Sequence, residues 1–280
     1  AGWVYNVNHE ITRKAFFTPT PSPSDLSNQI AVRDFGQDLA SRVVHLWERC
    51  QKAVLAWPFA SWTQRFEMFT DRAYGNISQP ALVPIHPTAF ELALRDDRTL
   101  RVSSRSLKRL GTLEMEKTGL FKESAKEFVS DHLLHAYRDI LKQIDGILDD
   151  ARPMLEETDH QGLHDQVRNI GCFRVLFHAE YTFFYGIRLA WEKKNSDVRK
   201  TRYDCDARIA ELASAEIENA HAWIRLLESD PNPNAAHARQ RQAKEGESWK
   251  PLEIRRLNDK IGQMQTWLGE WESGKHRGIP

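Results

Sequence analysis

The sequence predicts an all-α fold, an irregular bundle of about six helices around a buried helix at 160–193. Three observations lead there. Apolar residues recur at steps of three and four through most of the chain, the spacing of one helix face. The stretch 173–191, FRVLFHAEYTFFYGIRLAW, is apolar nearly all the way round a helix, the pattern of an element hidden inside a larger body. Strand-like alternation is brief: GWVYNVN near the start alternates loosely, and at 90–102 AFELALR and RTLRVSS flank Asp96–Asp97 and suggest a small β-hairpin.

Residues 1–29 read as an extended arm, because Pro19, Pro21 and Pro23 stand at every second position in a Ser-rich run. The helical body is expected over 30–228. Phe35, Leu39, Val43, Leu46, Trp47, Cys50, Val54 and Trp57 make one stripe over 30–57, stopped by Pro58. A second helix is expected at 61–74. Residues 75–119 form a loop and hairpin insertion marked by Pro80, Pro84 and Pro87, with a return to helix at 106–116. Ala125, Val129, Leu133, Tyr137, Ile140, Ile144 and Ile147 line a helix at 121–149, and Pro153 separates it from the next. Thr158 or Asp159 is placed to cap the helix at 160–193. Residues 203–228 form a further helix, 229–250 a polar linker, and 251–280 a C-terminal docking helix and tail. The seam of that helix is Leu257, Ile261, Met264, Leu268 and Trp271.

Composition narrows the function classes. Lys plus Arg and Asp plus Glu are each 39, so net charge is zero; that weighs against a whole-protein attraction to nucleic acid or to an anionic membrane. No stretch reads as a membrane-crossing helix, so membrane insertion is not expected. The cysteines, Cys50, Cys172 and Cys205, are odd in number, widely spaced and set in apolar helical patterns. They read as reduced, buried thiols in an intracellular reducing compartment, cytoplasmic or organellar. The chain begins at Ala1, and removal of a methionine, cleavage of a targeting segment or trimming would each account for that.

Candidate chemistry comes from ionisable residues near the apolar helix. His178 and Glu180 lie inside it and need partners from other helices, being about 200° apart on their own. Glu157–His160 and Glu218–His221 have the Glu-x-x-His spacing of di-metal bundles, and His160 and His164 stand one turn apart. The bland accounts are a solvated helix start for His160 and His164 and a charged outer face for Glu218 and His221, so neither a metal nor another cofactor is assigned. A nucleophile elbow and a glycine-rich phosphate loop are both missing from the sequence.

Two surfaces invite partners. Arg95, Arg98, Arg101, Arg105, Lys108 and Arg109 form the densest basic segment, a candidate phosphate track. The chain also carries nine tryptophans, more than a neutral helical core needs, and tryptophan anchors protein interfaces. Trp3, Tyr5, Phe16 and Phe17 of the arm, with Trp249, Trp267 and Trp271 near the C-terminus, are therefore the expected partner-binding residues. The leading expectation is a non-enzymatic structural or adaptor subunit of a larger protein assembly. The alternatives are a nucleic-acid-binding accessory protein using 95–109, then a metal-dependent helical-bundle enzyme.

Overall fold

The computed structural model describes residues 22–56, 131–231 and 249–273. These residues form an all-α helical bundle of six helices: α1 (Pro23–Phe35), α2 (Gln37–Leu55), α3 (Asp131–Glu157), α4 (Gln161–Asn195), α5 (Arg199–Ser229) and α6 (Trp249–Glu272). The chain divides into two compact units, one of residues 1–56 and 142–171, the other of 57–141 and 172–280. The helices expected at 61–74 and 106–116, the hairpin at 90–102 and nearly all of the linker at 229–250 lie outside the described residues.

In the first unit the chain turns helical earlier than the proline spacing suggests. Ser22 caps α1: its Oγ accepts from the Asp25 N–H at 3.1 Å, and the Asp25 carboxylate accepts from the Ser22 N–H at 3.2 Å. Pro23 occupies the first helical position, where its missing N–H would be unpaired anyway. The extended reading therefore ends before residue 22 and not at 29. The single helix expected over 30–57 is two, because Gly36 takes φ 79°, a conformation that side-chain-bearing residues resist. The apolar stripe survives the break: Ile30, Phe35, Val43 and Leu46 are all buried, and α1 packs on α2.

Side-chain bonds tie α2 to the rest of this unit. Trp47 Nε1 donates to Gln166 Oε1 at 2.7 Å. Arg42 pairs with Glu157 and Arg49 with Asp150. A Cβ at Gly146 would lie 3.0 Å from Arg49 Nη2, so glycine leaves room for that arginine. Pro153 does not end α3, which runs on to Glu157. Pro153 and Asp149, whose carbonyl loses its N–H partner, are both exposed, so water takes the place of the lost bond.

In the second unit α6 lies along α5. Leu257, Ile261, Met264 and Trp267 of α6 are buried, as are Ile209, Ala213, Ile217, Ala220, Trp223 and Leu227 of α5. The C-terminal seam is rotated from the expected one, since Trp267 is buried while Leu268 and Trp271 are half-buried. Tyr137 of α3 packs on Phe177 of α4, ring centroids 6.3 Å apart. Along α4 burial is graded: Val175, Phe177, Ala179 and Thr182 are buried, whereas Phe173 is 45% exposed.

Phe177→Ala is expected to cost about 3–5 kcal/mol, the usual penalty for truncating a large core aromatic. Denaturant unfolding measures it, and an unchanged midpoint would contradict the burial of α4 described above.

Candidate functional site

The second unit holds a polar cluster inside its apolar packing. Glu216 falls on the inner face of α5, among Ala213, Ile217 and Ala220. Lys260 falls on the inner face of α6, between Leu257 and Met264. Both are 0% exposed, and Lys260 Nζ donates to Glu216 Oε1. The second oxygen, Oε2, accepts from His178 Nδ1 at 3.1 Å and from Asn219 Nδ2 at 3.2 Å. The same Asn219 amide donates to the Val175 carbonyl of α4 at 3.0 Å. Thr182, also 0% exposed, donates its hydroxyl to the His178 carbonyl at 2.9 Å and lies 3.4 Å from His178 Nδ1. Three helices thus meet on one carboxylate.

A carboxylate and an ammonium out of water are costly unless each is neutralised and hydrogen-bonded. The cluster meets that demand. Burial alone would raise the Glu216 carboxyl, but Lys260 and His178 more than reverse this and hold it below its ordinary value of 4.5. Burial pulls the Lys260 ammonium below its ordinary 10.5, against the charge of Glu216. The Asn219 amide nitrogen is committed to two acceptors, and its Oδ1 is buried with no hydrogen-bond donor among the described residues. The arrangement fixes the position of one imidazole and of two helices relative to it.

The residues singled out from the sequence fall in several places. His178 belongs to the cluster; the side chain of Glu180 lies outside the described residues. Glu216 and Lys260 were missed, although a charge at an apolar-stripe position of each helix marks them. The His160 ring lies tilted against Phe35, centroids 4.8 Å apart, and His164 Nε2 lies 3.2 Å from the Thr158 carbonyl. The Thr158 hydroxyl accepts from the His160 N–H at 3.2 Å. Glu218 is exposed and His221 half-buried. Among the described residues no group of three or more His, Cys, Asp or Glu converges as a metal site. Cys172 and Cys205 are buried and Cys50 half-buried, and the three form no disulfide among the described residues; burial pushes the Cys50 thiol up to about 11, which keeps it protonated and unreactive.

Trp267, expected among the partner-binding residues, is 3% exposed and its ring lies in the protein's own core, where α6 packs on α5. Trp271 is half-buried. The side chain of Trp249, the arm residues Trp3, Tyr5, Phe16 and Phe17, and the basic segment Arg95, Arg98, Arg101, Arg105, Lys108 and Arg109 lie outside the described residues. No helix of the described residues is long and apolar enough to cross a membrane. No family model, curated protein or solved structure matches the chain.

Glu216→Gln or Lys260→Met alone is expected to cost about 3–5 kcal/mol, because each removes the buried opposite charge that faces the other. The double variant should cost much less than the sum, and strict additivity in urea unfolding would refute the pairing. The pH dependence has a definite sign. A carboxyl held low in the folded state stabilises above its unfolded value of 4.5, and that contribution drains away as pH falls through the folded value. The stability gap between wild type and Glu216→Gln should therefore be flat near neutrality and close in acid. Lys260 works oppositely: its lowered value is a cost that is full below that folded value, fades as pH rises from there towards 10.5, and is gone above 10.5.

Proposed function

We propose that the protein is a non-enzymatic helical subunit, structural or adaptor in kind, that docks other proteins of an assembly through aromatic surface. The supporting observation is a row of aromatic rings on α4. Phe173, Phe177, Tyr181 and Tyr185 recur every four residues, the spacing of a single helix face. Phe177 is anchored in the core beneath Tyr137, and Phe173 stacks on it with centroids 6.4 Å apart while remaining 45% exposed. Further along, Tyr181 and Tyr185 lie 5.7 Å apart, and the Arg138 guanidinium of α3 stands 5.7 Å from both ring centres. Arg138 Nε also donates to the Tyr181 hydroxyl at 3.1 Å.

Tyrosine and arginine held rigidly at a surface are the residue types that carry binding energy in protein contacts. Rings already stacked in the free protein lose little side-chain freedom on docking. In this reading the arm residues Trp3, Tyr5, Phe16 and Phe17 and the half-buried Trp271 of α6 add contacts of the same kind. Trp267 contributes to stability and not to docking.

The test is the size of the native assembly. Protein isolated from its source should run as a complex. Phe173→Ala with Tyr185→Ala should weaken that complex by about tenfold or more, with the melting temperature shifted by only a few degrees. A wild-type chain that runs alone as a monomer would contradict the proposal. Salt-sensitive retention on nucleic acid that vanishes when Arg98, Arg101 and Arg105 become Glu would favour the nucleic-acid reading instead.

A further inference from the structure

We propose that His178 is a modification site, a nucleophilic imidazole whose Nε2 accepts acyl groups while Glu216 holds the ring from behind. The place of one proton decides this. Glu216 faces the Lys260 ammonium with Oε1, so the carboxylate is ionised and acts only as an acceptor. The hydrogen between Glu216 Oε2 and His178 Nδ1, 3.1 Å apart, therefore belongs to the ring. Thr182 points the same way: its hydroxyl proton goes to the His178 carbonyl, so toward Nδ1 it presents a lone pair. Both contacts select the Nδ1–H tautomer and leave the lone pair on Nε2.

The position of the ring matters equally. Among the described residues every hydrogen bond of the ring falls on Nδ1. The edge bearing Nδ1 abuts a side chain that is 1% exposed, yet the histidine side chain is 18% exposed. Nε2, on the other side of the ring, makes no hydrogen bond among the described residues, in a side chain that is part-exposed. A buried carboxylate that accepts from one ring nitrogen fixes the tautomer and orientation of a histidine and leaves the lone pair on the far nitrogen. Glu216 is a positioning residue here, and Lys260 and Asn219 keep it ionised and aimed.

The step balances without any co-reactant. The Nε2 lone pair adds to the carbonyl carbon of an activated acyl compound, and the bond from that carbon to its leaving oxygen breaks with both electrons. The ring is cationic at that point and faces Glu216. It then passes the Nδ1 proton to the Glu216 carboxylate it faces, while the departing anion leaves into solvent with its electron pair; the products are a neutral Nε2-acylimidazole, a neutral Glu216 carboxyl and the free anion.

Diethyl pyrocarbonate serves as the acyl probe, with peptide mass spectrometry reading each histidine, and nitrogen NMR reads the tautomer of His178. In wild type the Nδ1–H tautomer and carbethoxylation of His178 at neutral pH are expected. In Glu216→Gln/Lys260→Met, whose folding is checked by its melting curve, the rate at His178 should fall about tenfold, the order of effect for losing an orienting partner. An Nε2–H tautomer, a His178 left unmodified while exposed His135 reacts, or an unchanged rate in the folded double variant would each overturn the proposal. If the double variant fails to fold, the wild-type tautomer and labelling decide alone.

Discussion

The ion pair between Glu216 and Lys260 is the interaction on which the second unit depends. Two opposite charges sit where water does not reach, on helices whose neighbouring positions are apolar. In a medium of low dielectric such a pair is close to break-even against an apolar replacement, but breaking it from one side is severe. Its main effect is therefore on which arrangement is allowed. A slip of α6 along α5, or a rotation of either, strands an ammonium or a carboxylate among Leu257, Ile261 and Ile217. Packing of similar leucines and isoleucines alone would tolerate such slips far better.

That constraint imposes order on the neighbouring groups. With Glu216 fixed and ionised, Asn219 must turn its amide nitrogen inward, where it also takes the Val175 carbonyl of α4. His178 must present Nδ1–H. The aromatic row from Phe173 to Tyr185 rides on that same helix, so its outer rings are presented from a backbone fixed on the cluster side. The buried polar cluster and the outer aromatic surface are thus two consequences of one helix held by a carboxylate.

Much of the fold was legible. Periodicity placed α4, α5 and α6 within a few residues at both ends, and the all-α class with them, whereas α3 runs eight residues past its expected end at 149. The misses have physical causes. Proline spacing suggested an extended arm through residue 29, but Ser22 and Asp25 form reciprocal caps around Pro23 and start α1 there. One glycine at positive φ split a continuous apolar stripe, because the stripe reports which side is buried and not whether the backbone is unbroken. Pro153 was read as a stop, yet a solvent-facing turn of α3 absorbs it.

The site was less legible. His178 stood out as an ionisable residue in an apolar helix, but its partner Glu216 lies on α5, 38 residues away, and Lys260 joins that carboxylate from α6. Spacing along one helix cannot report such pairings. Glu218 drew notice through a local Glu-x-x-His pattern, while Glu216, two positions earlier, carries the interaction from the buried face. Trp267 and Trp271 looked alike in sequence, and only the rotation of α6 against α5 separates a core ring from a half-buried one.

Carbon-13 NMR of the Glu216 side-chain carboxyl across an acid titration tests the central claim most directly. An ionised cluster requires that this carboxyl stay charged to below the ordinary value of 4.5 and that its resonance shift only as the fold begins to fail. A carboxyl that takes up its proton above 4.5 in the folded protein would show that burial outweighs Lys260 and His178, and the charged cluster would not exist as described.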